Sequence, residues 1–487
     1  MLNHLRQILL VLCAVHFLRF WILPAWDSLW IDETGTYWTI AGGWEQLWAR
    51  TAVHPNSRLY GALMLGWTKL AGTGEIALRL PSLLAMLGAL AVLAVFLHRR
   101  LGEGAGWPLA ALCLASPELS FFALDARPYA FAVLFLALST AVWYSMSERL
   151  TWGRAAAWAV LAGVLVHFHP VVALALSGQA GWMAMRARWN SFTLPRALAW
   201  AATLAAAGLI ALPEVIRQLP LLTGTNASAL PGSVSAGEVA RATLPISIYA
   251  PALLAAGGLL LFRKWRLVRL DAAARDVAAL GISLVVCTAA LCSAYSNYSK
   301  STLLLTRYMI AVYPGCFLLV CVLLARWTDE SGRRWFALLY SASTLLLSLA
   351  AQGWVPVHAD ADWRGAMAMV RKWEGGRPAP LLMQTGFVEG TYSRYLRDPG
   401  LQEFLYAPAL YYPHSGATYA IPYQFRPAQA EYREDLVRSV DGRRFAALVY
   451  FTGGGTPAEL APLAARHGPP RLVGRVRRLA LYAFGPP

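Results

Sequence analysis

Long apolar runs separated by short polar connections dominate the chain. Runs of the ~17–25 residues that a bilayer requires fall near 5–25, 78–97, 106–123, 128–146, 154–172, 173–186, 197–213, 244–262, 277–295, 307–325 and 335–353. Each predicts a membrane-spanning helix. The narrowest division is His167-Phe168-His169-Pro170, between the runs at 154–172 and 173–186. The first run follows Arg6 and shows no small-residue cleavage site before Trp26-Asp27, so it reads as an uncleaved first helix. From about 354 the pattern changes to ordinary charge density with many Pro, Gly and Tyr residues. There, 378–385 reads as a buried strand followed by a helix, and 444–451 as a strand ending at Gly453-Gly454-Gly455. The triple glycine lacks the spacing of a nucleotide fingerprint and reads as a turn. The pattern predicts a polytopic α-helical membrane protein of about eleven transmembrane helices over 1–353, with a long first loop at 26–77. A C-terminal α/β domain follows over 354–487.

Composition supports that reading. The 487 residues are 57% hydrophobic and 14% charged, with 20 Trp, against roughly 45–50% and about 25% in water-soluble domains. Such a chain cannot cover a water-facing surface with polar groups, which excludes a soluble array of domains, disorder and a disulfide scaffold. The six cysteines lie inside apolar runs at no metal-like spacing and read as small buried hydrophobes. The net charge of +16 comes from 42 basic and 26 acidic residues. In one alternate set of short connections the basic residues are concentrated, from Arg6 through Arg99 and Arg100 to Arg326, Arg333 and Arg334. That set is expected to be cytoplasmic. The N-terminus is then inside, and an odd number of spans places 26–77 and 354–487 outside. The charge is thus a topology signal, and nucleic acid is not an expected partner.

Polar chemistry concentrates in the outer loops. Asp32 and Glu33 are adjacent carboxylates beside the hydrocarbon edge, expensive to desolvate unless paired or bound to a cation. They also read as a helix start, with Asp32 as cap, Glu33 in the first turn, and Tyr37, Trp38, Ile40 and Trp44 on the membrane interface. The two readings are compatible. Further on come His54-Pro55-Asn56-Ser57-Arg58-Leu59-Tyr60, Asp125-Ala126-Arg127-Pro128-Tyr129, and Arg307-Tyr308 with Lys300 seven residues earlier. His167 and His169, at i and i+2, offer imidazoles for a metal, a weak signal by spacing alone. An interfacial arginine either snorkels to headgroups or binds a phosphate.

Taken in order, Asp32-Glu33, the His-Pro-x-x-x-Leu-Tyr segment, Ala77-Leu78-Arg79-Leu80-Pro81, Ala126-Arg127-Pro128-Tyr129-Ala130, the His-containing turn and Arg307-Tyr308 resemble the polytopic glycosyltransferases of the GT-C superfamily. The pattern is most similar to the bacterial branch related to the dolichyl-phosphate-mannose–protein mannosyltransferases and the lipid A aminoarabinose transferase. It covers about the first 330 residues, and Asp362-Trp363-Arg364-Gly365 resembles the start of the outer domain in that branch.

The resemblance implies an inverting transfer of a sugar from a polyprenyl-phosphate donor to a glycan, lipid or protein acceptor at the outer face of a bacterial inner membrane. Asp32 takes the place of the catalytic base, Glu33 of its companion and Asp125 of the second acid. His54, Arg127 and Arg307 take the places of carrier-phosphate contacts, with Arg58, Tyr129, Lys300 and Tyr308 grouped with them on the substrate side. A divalent metal at Asp125, His167 and His169 is carried as an expectation; a nucleotide is not. The chain departs from the pattern where Asn56 replaces a second proline, where His54 stands in place of lysine, and where Val53 rather than an acid precedes it. The chemistry agrees, since a phosphate-linked sugar needs only a base for the acceptor and cations for the leaving group. A lipid flippase or transporter is the alternative. It should keep ionisable residues at the membrane midplane in related halves, whereas here the acids cluster in loops.

Overall fold

A computed structural model describes residues 2–102, 104–186, 193–223, 234–261, 264, 269–299, 303–422, 427–451 and 457–485. The chain forms two compact units. One comprises Met1–Ala25, Ile76–Pro220 and Leu230–Pro356; the other joins Trp26–Glu75 to Val357–Pro487.

The first unit is helical. Among the described residues, seven helices are long and apolar enough to cross a membrane: His4–Trp26, Glu75–Leu101, Tyr129–Glu148, Leu194–Pro220, Ala272–Tyr298, Thr306–Trp327 and Glu330–Gln352. The pair Ala236–Thr243 and Ile246–Leu261, bent by 63° at its break, makes up to eight. All eleven predicted runs contain helix, yet four fall short as single spans, the bent pair at 244–262 and three others. Trp152–Phe168 is 17 residues long. The run at 106–123 divides into Gly106–Leu114 and Pro117–Ala123 because Ser116 accepts the Leu119 N–H (3.4 Å) and Pro117 starts a new helix. In the run at 173–186, only Leu176–Arg186 forms a sustained helix. Apolarity identified these segments, but short Ser-Pro and His-Pro starts, invisible to a hydropathy window, shorten them.

Polar side chains inside this unit are bonded to the ends and flanks of helices. Arg19, in the π-helical turn Phe17–Ile22, is 1% exposed and donates to Ser348 Oγ (2.6 Å), Gly353 O (2.5 Å) and Trp354 O (2.8 Å). It thereby ties the first helix to carbonyls just past the end of the Glu330–Gln352 helix. Gln179 donates to Ser139 Oγ (2.9 Å) and Thr140 Oγ1 (3.0 Å) and accepts from Trp158 Nε1 (2.8 Å), an interhelical bond set of the kind that fixes membrane helices. Gly281 and Gly315 let two helices touch backbone to backbone; a Cβ on Gly315 would lie 2.7 Å from Gly281 O.

The second unit carries a five-stranded sheet of order β2-β1-β3-β5-β4, with β1 Leu381–Met383, β2 Thr418–Ala420, β3 Phe445–Tyr450, β4 Arg471–Val476 and β5 Leu479–Phe484. β1 is parallel to β2 and β3, while β5 is antiparallel to β3 and β4. The predicted strands at 378–385 and 444–451 correspond to β1 and β3. Gly453-Gly454-Gly455 lies outside the described residues. The first long loop is not separate from this unit. Trp38 of the helix Ile31–Ile40 packs with Phe387, Tyr395, Leu401 and Phe404 in one core. Trp38 and Ile40, expected on the membrane interface, are buried there. The next helix, Trp44–Val53, instead exposes indoles, Trp44 at 47% and Trp48 at 51%.

Candidate active site

Two clusters of polar residues stand out, one in each unit. In the sheet-bearing unit the helix Ile31–Ile40 starts from Trp30, because Glu33 reaches back to accept the Trp30 N–H (2.9 Å). Asp32 is therefore not the cap. It lies in the first turn, partly exposed, while Glu33 is fully buried. Both carboxylates sit where the positive end of the helix dipole favours them.

Beside Glu33 lies a residue that sequence reasoning passed over. His358 Nε2 is 3.5 Å from Glu33 Oε2, and both side chains are essentially inaccessible. A carboxylate and an imidazole at this separation can share a proton or hold a cation together. His358 gives no motif; its only signal is a histidine just past the last apolar run. Its N–H donates to Asp27 Oδ2 (2.9 Å), as does that of Ala359 (3.0 Å), and Arg477 grips both Asp27 oxygens (3.0 and 2.8 Å). Burial alone would raise the Asp27 carboxyl, but the Arg477 fork and the backbone donors outweigh it and hold it below the usual range.

Two other predicted residues of this unit have different surroundings. His54 is 3% exposed and packs among Trp38, Tyr395 and Phe404, the last ring centroid 4.2 Å away. Arg58 lies over the Trp48 ring (4.2 Å) and donates to Thr51 Oγ1 (3.0 Å), tying two helices together. Arg127 and Arg307 belong to the other unit.

The helical unit gathers Arg127, Tyr129, His169, Arg307 and Tyr308. Asp125 and Arg127 lie in the tight segment before the helix Tyr129–Glu148, where Arg127 N–H meets Asp125 O (2.7 Å) and Arg127 O accepts from Ser82 (3.2 Å). Asp125 is fully buried. The His169 ring centroid is 5.0 Å from that of Tyr129 and 5.4 Å from that of Tyr308, with Arg307 5.4 Å from the Tyr308 ring. Burial first, then the Arg127 and Arg307 charges, lower His169 to about 3. His169 Nδ1 accepts the Val172 N–H (3.3 Å), so the proton of this neutral ring resides on Nε2. Two guanidiniums and a neutral N–H donor form a setting for an anion. Nearby, a cavity of ≈ 280 Å³ is lined by Glu238, Arg241, Pro245, Thr306, Met309 and Tyr313.

Two further expectations concern this unit. His167 does not join His169. Its Nε2 meets Ile210 O (2.8 Å), and its Nδ1 is 4.0 Å from Glu214, which is itself paired with Arg217 (2.5 Å). Among the described residues, Asp125, His167 and His169 do not bring ligand atoms together, so these three do not fit a metal ion. Lys300 lies outside the described residues. Arg79, part of the sequence pattern, is buried and donates to Ala25 O (2.9 Å) and Pro24 O (3.4 Å), fixing the end of the first helix.

No family model and no curated protein matches the chain. Solved structures do. ArnT from Cupriavidus metallidurans in the apo state matches with a TM-score of 0.61 and 15% identity, covering 97% of both chains. The same protein bound to undecaprenyl phosphate matches with a TM-score of 0.61 and 14% identity over the same share. ArnT is the lipid A aminoarabinose transferase, a GT-C enzyme. At this identity the likeness concerns the fold alone, and the chain has the fold of ArnT over nearly its whole length.

Proposed function

We propose that the protein is an inverting glycosyltransferase that moves a sugar from a polyprenyl-phosphate donor to a hydroxyl of a glycan, lipid or protein at the outer face of the bacterial cytoplasmic membrane. The observation that carries this reading is the cluster of Arg127, neutral His169 and Arg307 with its two tyrosines. The undecaprenyl phosphate bound to the ArnT neighbour supports it.

In this reaction the acceptor oxygen attacks the anomeric carbon, and the bond from that carbon to the phosphate oxygen breaks. The phosphate leaves with the electron pair, and the acceptor proton passes to Asp32. Arg127 and Arg307 neutralise the leaving phosphate, and His169 Nε2–H donates a further hydrogen bond to it. Asp32 suits the base because it is the more accessible of the adjacent acids. Buried Glu33 is engaged with Trp30 and His358 and orients the turn that carries Asp32. Tyr129 and Tyr308 pack against the imidazole.

Mass spectrometry of polyprenyl-phosphate sugars and envelope glycans, from cells with and without the protein, tests the reading. A sugar missing from the glycans while its lipid-linked form accumulates is expected. Unchanged glycans with unchanged lipid intermediates would refute the assignment.

A further inference from the structure

Among the contacts that hold the segment delivering Asp32 and Glu33 to the C-terminal part of the unit, those at Asp27 converge on a single carboxylate. Asp27, five residues before Asp32, holds its carboxylate 10% exposed under Arg477. That carboxylate accepts from Arg477 through both oxygens, from the His358 and Ala359 N–H groups through Oδ2, and from Ser28 N–H (2.9 Å) through Oδ1. Arg477 also donates to Ala359 O (2.6 Å). Three stretches distant in sequence thus converge on one carboxylate: the start of the acid-bearing loop, the segment carrying His358, and the β4–β5 turn.

The arginine is held there at a conformational cost. Arg477 has φ +47°, the only positive φ at a non-glycine residue among those described. The left-handed region disfavours a side chain with a Cβ, so the turn is kept in a form that aims the guanidinium at Asp27. An exposed ion pair contributes little. A forked pair on a nearly buried carboxylate that also accepts three backbone donors fixes position instead.

We propose that Asp27 and Arg477 are positioning residues for the acid-bearing loop: the Arg477 fork fixes the Asp27 carboxylate, which sets His358 against Glu33 and so places the turn carrying Asp32. The C-terminal sheet is, on this view, a working part of the transferase. The inference rests on the proposed role of Asp32. Displacing a catalytic group by about 1 Å can cost ~10²-fold in rate without touching the donor's own contacts. The signature is therefore a fall in kcat at an unchanged donor KM.

The test uses the full chain in nanodiscs, with the polyprenyl-phosphate sugar and the unmodified acceptor glycan both isolated from cells lacking the protein. Asp27→Asn and Arg477→Ala are expected to lower kcat about 10–100-fold with donor KM within threefold, and Arg477→Lys to recover part of the loss. Arg397→Ala, which breaks an exposed pair with Glu431 elsewhere in the unit, should leave kcat unchanged. Hydrogen exchange over 357–361 should accelerate in Asp27→Asn, a readout available even if turnover is lost completely. Normal kcat in Arg477→Ala while Asp32→Asn is inactive would overturn the positioning role and leave the transferase reading standing. A loss carried by donor KM, or unaltered exchange over 357–361, would overturn it as well. Normal transfer by Asp32→Asn would instead remove the base on which both ideas depend.

Discussion

Adjacent acids at the start of one short helix have separated environments, and that separation assigns their work. Asp32 is partly exposed and Glu33 buried against His358. Asp32→Asn keeps the side-chain volume but loses basicity, so single-turnover transfer should fall about 10²–10⁴-fold while undecaprenyl phosphate still binds. Glu33→Ala should act on the fold, costing about 1–2 kcal/mol in thermal unfolding because the Trp30 N–H loses its acceptor. Arg307→Ala should weaken undecaprenyl phosphate binding by about 1.5–3 kcal/mol, with Lys a partial substitute. His169 yields a pH prediction. Its folded pKa of about 3 lies below the ordinary value near 6.5, so between those values the unfolded chain binds the proton and the folded one does not. Its effect on stability is then neutral above pH ~6.5 and increasingly unfavourable as pH falls toward 3. Thermal unfolding scans should show a shallower acid-side slope in His169→Gln than in the parent. The acids, the arginines and His169 were legible from residue type and order. Their partners were not, because Val172 N–H and His358 are fixed by chain geometry that no local pattern encodes.

At the level of elements, the apolar runs located the helices but overstated their continuity. Ser116-Pro117 and His169-Pro170 each begin a new helix inside an apolar stretch, so composition persists where the helix does not. The loop helices were harder to read for a different reason. Aromatic residues at the membrane edge suit either a bilayer interface or a protein core, and the distant tail decides which. Trp38 meets Phe404, so it is core; Trp48 remains exposed under Arg58. This pairing gives Arg58 a structural role. Arg58→Ala should lower stability by about 0.5–1 kcal/mol through the lost ring contact and leave undecaprenyl phosphate binding unchanged in the same preparation. A matching loss of binding would return Arg58 to the substrate side.

For the whole molecule, one feature was beyond sequence patterning: 26–75 and 357–487 belong to a single folded unit although most of the helical unit is encoded between them. The apolar face of the first loop carries no label naming its partner. Its pairing with the tail depends on contacts more than 300 residues apart, such as Trp38 with Phe404. This arrangement has a consequence for biogenesis. At ~5–20 residues per second, the ribosome finishes β5 roughly 20–80 s after it finishes the acid-bearing loop. For most of that interval Trp38, Phe404's future neighbour, lacks the core in which it packs. The nascent loop must therefore wait, and its Asp27 meets Arg477 only when the final hairpin has been made.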